Sequence, residues 1–118
     1  MVPACKHVVM LTDIEICYLL SDGQKITGVL DWAESRLGDF VYDIAYLEFW
    51  SKHISYKQLW QEWLRGKKLN LHLSNFEERI QCYMLHIGLG SLAIAAIQND
   101  IEDYQNIKAR LQMIIKFS

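Results

Sequence analysis

The sequence contains a single proline, Pro3, and no stretch rich in proline and serine divides the chain. Linkers between domains are usually rich in such residues, so their absence predicts one domain over residues 1–118. Hydrophobic residues make up 52% of the chain, which is enough to fill a core and argues against disorder.

The chain also has little excess charge of either sign, because it contains 12 Lys and Arg residues and 14 Asp and Glu residues. No basic run alternates with aromatic residues, as the grooves of nucleic-acid-binding proteins require, so we expect no nucleic-acid partner. The densest basic cluster, residues 65–68 (RGKK), is interpreted as a solvated helix end, since cations stabilise a helix C-terminus. A partner-binding patch is the alternative.

Cysteine is sparse. Cys5, Cys17 and Cys82 are odd in number and far apart, without a C-x-x-C pair or a histidine at ligand spacing, which excludes a disulfide framework and a zinc site. No uninterrupted apolar run reaches the roughly 18 residues that span a bilayer, and the N-terminus lacks an export pattern. The sequence therefore predicts a reduced, cytoplasmic protein without membrane contact.

The hydrophobic periodicity predicts an α+β, mostly helical fold, in which a small β-hairpin precedes about four helices. Two apolar runs, at 17–20 and 26–31, flank an Asp-Gly turn, and a third run at 6–11 also has strand length. The helices are predicted at about 40–52, 55–66, 74–96 and 101–117.

Local signals mark the ends of these helices. Ser55 is a candidate N-cap and Gly66 a candidate stop for the second helix, and Ser74 or Asn75 followed by Glu77 and Glu78 resembles a capping box. The last helix is predicted to bury one apolar stripe: Ile101, Tyr104, Ile107, Leu111, Ile114 and Ile115.

The third predicted helix is apolar on nearly all sides, which is typical of a buried central helix. Gly88 and Gly90 inside it each cost about 0.5–1 kcal/mol relative to alanine, so we predict that another backbone packs closely against them. His86 is interpreted as a core or boundary residue. The tryptophans are assigned to the core and to helix packing: Trp32, Trp50, Trp60 and Trp63.

The most informative stretch is ITGVLDWAESRLGDFVYDIAYLEFW, residues 26–50. Asp31 ends an apolar strand there, and a Gly-Asp-x-x-x-Asp pattern follows before a helix. A carboxylate held at the end of a buried strand can ligate a hard cation such as Mg²⁺, which prefers oxygen ligands. Taken alone, Asp31 fits a turn or helix-capping residue as well.

This stretch closely resembles the metal-binding segment of the aminoglycoside phosphotransferase family, antibiotic kinases with a protein-kinase-like fold, and its hygromycin-type members in particular. Residues 78–104, ERIQCYMLHIGLGSLAIAAIQNDIEDY, are similar to the late helices of the family. The resemblance implies a partial domain, the C-terminal lobe, in which residues 18–118 are family-like and residues 1–17 match poorly.

The resemblance also implies roles for single residues. Asp31 stands where the Mg²⁺-binding Asp of the family stands, next to an ATP site. Gly38, Asp39 and Asp43 match the Gly-Asp turn, with Asp39 as a cap and turn former and Asp43 as a buried residue that braces the catalytic loop. Glu34 could help to attract a polycationic substrate, as could Asp100, Glu102 and Asp103, although an ordinary solvated carboxylate is the better explanation for each of the four.

The catalytic loop of the family, H-x-D-x-x-x-x-N, supplies a base and a second metal ligand. In the same register this chain reads MLTDIEIC, so Met10, Thr12 and Cys17 occupy the His, Asp and Asn positions. A thiol is a poor ligand for Mg²⁺. Only 30 residues precede Asp31, so we also expect the nucleotide-binding lobe of the family to be missing. We therefore expect a truncated phosphotransferase-like protein that does not bind ATP and Mg²⁺ productively and is inactive alone.

Two functions stay open at this point. One is an inactive phosphotransferase lobe, whose partner would be a small-molecule substrate, and the other is a non-catalytic helical module that binds a small cationic ligand or a protein. In both cases an exposed apolar face where the missing lobe would dock favours self-association.

Overall fold

The computed structural model describes residues 19–29 and 38–116 and is mostly helical there. A two-stranded sheet precedes four helices: β1 Leu19–Ser21, β2 Ile26–Val29, α1 Val41–Trp50, α2 Tyr56–Leu64, α3 Phe76–Gln98 and α4 Ile101–Lys116. The predicted hairpin and four helices are confirmed. The strand predicted at residues 6–11 lies outside the described residues.

The hairpin is antiparallel, with Leu19 opposite Val29. Asp22 shapes its turn, because Oδ1 of Asp22 accepts hydrogen bonds from the backbone N–H groups of Lys25 and Gln24, at 3.0 and 2.9 Å. Both bonds hold the pKa of Asp22 below its ordinary value, Lys25 more strongly than Gln24. The next residue, Gly23, has φ +91°, a conformation that glycine adopts readily and other residues rarely do.

The core forms where α3 packs against α1 on one side and against α4 on another, while α2 packs mainly against α1. Helix α1 is the most deeply buried element, with Val41 and Ala45 fully enclosed. The buried apolar side chains come from three helices: Val41, Ile44, Ala45 and Phe49 of α1, Ile80, Ile87 and Ala95 of α3, and Ile107 and Leu111 of α4.

Helix α3 corrects the expectation of a fully buried central helix. One face of α3 is exposed along its length, and Leu89 and Ile97 on that face are 60% and 84% exposed. His86 lies on the same face and is exposed, so its assignment to the core or its boundary is wrong. Composition showed an apolar helix, but it could not show that packing partners cover only part of its circumference.

The same helix corrects the statement that no apolar stretch is long enough to cross a bilayer. Residues Phe76–Gln98 meet that requirement by length and composition, and they are the one such stretch among the described residues. Only 22% of the apolar window is buried. This is weak evidence for a membrane span, because core helices of globular proteins meet the same requirement.

Two of the predicted end signals are confirmed. The Ser55 hydroxyl accepts a hydrogen bond from the Gln58 N–H at 3.3 Å, and Gly66, at φ +73°, follows the end of α2. The carboxylate of Glu48 in α1 strengthens the start of α2, since Oε2 accepts from the Lys57 N–H at 2.9 Å and Oε1 from the Ser55 hydroxyl at 3.1 Å.

The predicted capping box at the start of α3 is wrong. Asn75 is the N-cap residue, but it has a left-handed backbone with φ 52° and its side chain makes no capping hydrogen bond. Glu77 instead turns to α2, where Oε2 accepts from Lys57 Nζ at 2.8 Å and Oε1 from Gln61 Nε2 at 2.9 Å. A contact between helices therefore replaces the local one.

Surface exposure corrects two further assignments. Trp63 is 52% exposed and stacks on half-buried Trp60 at 5.1 Å between ring centroids, so only one of the two contributes to the core. The ammonium group of Lys67 lies 4.8 Å from the Trp63 ring centroid, within the exposed cluster 65–68. The stripe of α4 is buried at Ile107 and Leu111, but Ile101 and Ile115 at its ends are exposed.

The two glycines of α3 occupy different surroundings. A Cβ atom added to Gly88 would lie 2.5 Å from Leu111 Cδ2 and 2.8 Å from the Phe49 ring. Gly88 is therefore a site of close packing, as predicted, but the groups that pack against it are side chains and not another backbone. A Cβ atom added to Gly90 would meet nothing within 4 Å in the described structure. The prediction of close packing is therefore wrong for Gly90.

Replacing each glycine by alanine separates helix propensity from packing. We expect Gly90→Ala to raise the free energy of unfolding by about 0.5–1 kcal/mol, because alanine favours the helix and has room. Gly88→Ala favours the helix equally, but its methyl group would clash with Leu111 and Phe49. We expect this overpacking to lower the free energy of unfolding by about 1–3 kcal/mol. Urea titration of both variants measures the difference. Equal stabilisation by both substitutions would contradict the packing around Gly88.

Candidate functional site

The Gly-Asp-x-x-x-Asp pattern lies at the entrance to α1. The backbone carbonyl of Asp39 accepts a hydrogen bond from the Tyr42 N–H at 3.0 Å, and Oδ1 of its side chain accepts from the Val41 N–H at 3.1 Å. Asp39 thus satisfies two backbone donors of the first turn, and its negative charge lies at the positive end of the helix. Gly38, just before it, is exposed and has space for a Cβ atom among the described residues.

Two side chains of α3 bind the Asp39 carboxylate. Arg79 donates from Nε to Oδ2 at 3.0 Å and from Nη2 to Oδ1 over a short distance, and the Tyr83 hydroxyl donates to Oδ2 at 3.0 Å. Such a two-pronged arginine–carboxylate pair fixes orientation as well as distance. The turn before α1 is therefore held against the first turns of α3.

Arg79 also binds the chain that leads into its own helix. Its Nη1 donates to the carbonyl oxygens of His72 and Ser74, at 2.7 and 3.1 Å. The guanidinium therefore joins three segments: the turn before α1, the connection between α2 and α3, and α3 itself.

These contacts shift two pKa values. Partial burial raises the pKa of Asp39, but the hydrogen bonds from Arg79, from the Val41 N–H and from Tyr83 outweigh it, so the pKa lies below the ordinary value of 3.8. Partial burial and the hydrogen bond to the Asp39 carboxylate raise the pKa of Tyr83. Asp39 is therefore a stable anion at neutral pH, and Tyr83 is a neutral donor.

Asp43 lies one turn after Asp39 on α1 and is only 7% exposed. A carboxylate in such a place is costly to bury unless polar groups surround it. Its role as a brace for the catalytic loop stays a prediction, because that loop is outside the described residues.

The other predicted site residues also fall outside the described part of the chain: Met10, Thr12, Cys17, Asp31, Trp32 and Glu34. Residues 19–29 and 38–116 contain no cluster of three or more His, Cys, Asp or Glu side chains that could hold a metal ion. The assignment of Asp31 to Mg²⁺ therefore stays a prediction. Three of the candidate surface carboxylates are exposed around the start of α4: Asp100, Glu102 and Asp103.

The sequence analysis missed Arg79 and Tyr83. A signal for Arg79 was present, since an arginine in the first turns of a helix opposes the helix dipole and is unfavourable without an acidic partner. That signal predicts a carboxylate partner for Arg79, but it does not identify Asp39, which is 40 residues away.

Comparison with known proteins supports the family resemblance. The sequence model of the "Phosphotransferase enzyme family" matches residues 17–67, a range that includes Asp31, Asp39 and Asp43. Hygromycin-B 4-O-kinase from Escherichia coli is 27% identical over 114 residues. The resemblance to phosphotransferases is confirmed.

The two matches differ in extent. The alignment with the kinase covers 97% of this chain, so it includes most of residues 1–17, whereas the match to the phosphotransferase family begins at residue 17. The chain spans 32% of the kinase's length. No solved structure matches this chain.

Removing the charge of Asp39 tests the tie between α1 and α3. We expect Asp39→Asn to lower the free energy of unfolding by about 1–3 kcal/mol at pH 7, because charge-assisted hydrogen bonds to Arg79 are lost. The folded-state pKa lies below 3.8, so this stabilisation is present above pH 3.8 and disappears as the pH falls through the lower, folded-state value. Urea titrations from pH 7 to pH 2 measure it.

Glu78→Gln is the matched control, because Glu78 is an exposed carboxylate beside Arg79 in α3 that makes no hydrogen bond to Asp39. We expect it to change stability by less than about 0.5 kcal/mol at pH 7. If Asp39→Asn and Glu78→Gln had equal effects, the Asp39–Arg79 contact would not be a major stabilising interaction.

Proposed function

We propose that this chain is the helical, C-terminal-lobe part of an aminoglycoside-type phosphotransferase with a protein-kinase-like fold. The observation that carries the proposal is the family match over residues 17–67, which includes the turn that the structure places at the start of α1. The parent family transfers a phosphate group, which implies ATP and Mg²⁺ as its donor and cofactor.

The geometry of the turn supports this assignment. Asp39 is anchored by Arg79 and Tyr83, and Asp43 is buried one turn later, so both carboxylates have packing roles and are withdrawn from solvent. The family resemblance gives the metal-binding position to Asp31, a third carboxylate of this stretch. Asp31 would hold Mg²⁺ there, and the ion would supply positive charge to offset that of the phosphates.

We further propose that the chain does not transfer phosphate by itself. At the loop positions, Met10 and Thr12 offer neither the imidazole nor the carboxylate that the family uses. Cys17 offers a soft sulfur in place of an amide oxygen, so the donor set fits one hard ligand, Asp31, and not the pair that holds two ions.

The proposed acceptor class is a hydroxyl group of an aminoglycoside or a similar small molecule. Its support is the relative whose name denotes a kinase acting on hygromycin B, together with the exposed carboxylates around the start of α4, which would attract a polycation. We propose a cytoplasmic location, as for other ATP-dependent chemistry, and self-association through the exposed face of α3.

A non-catalytic module that binds a small cationic ligand or a protein is the alternative. The exposed apolar face of α3 favours it, because large exposed apolar surfaces usually mark binding sites. The two proposals differ in whether Asp31 matters for binding.

Metal binding separates these proposals. We expect the chain to bind one Mn²⁺, a paramagnetic substitute for Mg²⁺. Asp31→Asn should weaken that binding at least about tenfold, because even the loss of a residue that only orients a metal ligand lowers metal affinity by that factor. Electron paramagnetic resonance of free Mn²⁺ measures the affinity. Glu34→Gln, three residues later, is the matched control and is expected to leave it unchanged. Equal affinity of wild type and Asp31→Asn would remove the support for the phosphotransferase assignment.

A transfer assay tests inactivity separately. With labelled ATP, Mg²⁺ and hygromycin B, we expect no phosphorylated product above the level found without protein. Product that disappears with Asp31→Asn would overturn the proposed inactivity and strengthen the family assignment.

A further inference from the structure

A groove of about 740 Å³ lies between the C-terminal end of α1, the connection from α1 to α2, and α4. Small-molecule sites commonly measure about 300–1,000 Å³ and combine apolar walls with a few polar groups. The apolar part of this groove includes Phe49, Trp50, Ile54, Ile107 and Met113. Its size and walls are therefore those of a ligand site.

Arg110 is the unusual residue of the groove. Its side chain is half-buried, and Nη2 donates to the backbone carbonyl of Glu48 at 2.9 Å. Neither ion pair found within residues 19–29 and 38–116 includes Arg110, and its buried Nε has no hydrogen-bond acceptor. Charges removed from water are normally paired, but the residues that the structure describes supply no counter-ion for this guanidinium.

A second residue of the groove, Trp50, also carries an unsatisfied donor among the described residues. The indole Nε1 of Trp50 is buried and has no hydrogen-bond acceptor. Most buried donors in proteins have a partner, and an unmade hydrogen bond at such a position costs stability. Two residues of one groove therefore carry donors for which the described residues supply no acceptor.

The charges around the groove favour an anion. Two cations, Lys52 and Arg110, line it against one carboxylate, Asp103, and the imidazole of His53 is also part of the lining. Lys52 and His53 are exposed and make no hydrogen bond or ion pair within the described chain. Because the whole protein has a formal charge of -2, this positive region is a local feature.

We propose that the groove binds a small anion with a flat apolar body, such as an aromatic carboxylate. Its acidic group neutralises Arg110 and Lys52, and its flat body packs against Trp50 and Met113. Binding is non-covalent. This site contains none of Asp31, Asp39 and Asp43, so it does not depend on the proposed metal site. It does include Asp103, one of the surface carboxylates proposed to attract a polycationic acceptor.

The test uses the full chain and 2-naphthoate, followed by ¹H–¹⁵N nuclear magnetic resonance. Both unsatisfied nitrogens are buried, so the carboxylate reaches them only with a side-chain movement, and their N–H resonances report its arrival. We expect the indole N–H signal of Trp50, assigned with Trp50→Phe, to shift in a saturable manner. The neutral analogue 2-naphthalenemethanol should bind at least about fivefold more weakly, because it lacks the charge.

Lys52→Glu and Lys108→Glu form a matched pair of charge reversals. Both lysines are exposed, but only Lys52 lines the groove. We expect Lys52→Glu to raise the dissociation constant of 2-naphthoate about fivefold and Lys108→Glu to leave it within experimental error. Circular dichroism verifies that both variants fold.

The proposal fails if the Trp50 indole signal does not move at saturating 2-naphthoate, or if the neutral analogue binds equally well. It also fails if Lys108→Glu weakens binding as much as Lys52→Glu, because the effect would then come from overall charge. Arg110→Gln gives a second check, because it removes the cation that the carboxylate would neutralise. We expect this variant to bind 2-naphthoate no more tightly than 2-naphthalenemethanol. An unchanged preference for 2-naphthoate would overturn the assignment.

Discussion

The arrangement of the helices depends on the ion pair between Asp39 and Arg79. Asp39 begins α1, the most buried helix, and Arg79 lies in the first turns of α3, against which α1 packs. Hydrogen bonds from Tyr83 and to the carbonyl oxygens before α3 complete this junction. The close packing of Phe49 of α1 at Gly88 of α3 already restricts the register of the two helices, and the two-pronged arginine–carboxylate pair adds a directional constraint at their other end.

Helix α1 then determines the positions of the other elements. Near the start of α1, Asp43 is buried in the core. At the end of α1, the Glu48 side chain accepts a hydrogen bond from the first turn of α2. The backbone carbonyl oxygen of Glu48 accepts another from Arg110 of α4. All three neighbouring helices are thus attached to α1 by polar contacts as well as by apolar packing. If the chain is part of a phosphotransferase, this rigidity would help to position Asp31, because the segment that contains Asp31 precedes the anchored start of α1 in the sequence.

The sequence was sufficient for features that depend on local order. An Asp-Gly pair predicted the hairpin turn at Asp22, Ser55 predicted the N-cap of α2, and the Gly-Asp pattern located the turn at Asp39. Features that depend on distant partners were predicted wrongly. Glu77 was assigned to a capping box, but it pairs with residues of α2. Gly90 was predicted to pack closely against another backbone, but its surroundings among the described residues are open. Periodicity describes the apolar positions of a helix, but not how much of its surface the neighbouring helices cover.

Arg79 and Arg110 show why counting partners can separate a packing residue from a candidate binding residue. Arg79 has a carboxylate and two carbonyl oxygens, so its charge is accounted for within the fold. Arg110 has one carbonyl oxygen and a buried Nε without an acceptor, beside a groove. The structure reveals this difference in the number of partners. An incompletely satisfied cation in an aromatic groove costs stability that the described fold does not offset, and an anionic ligand is the simplest group that would restore the balance.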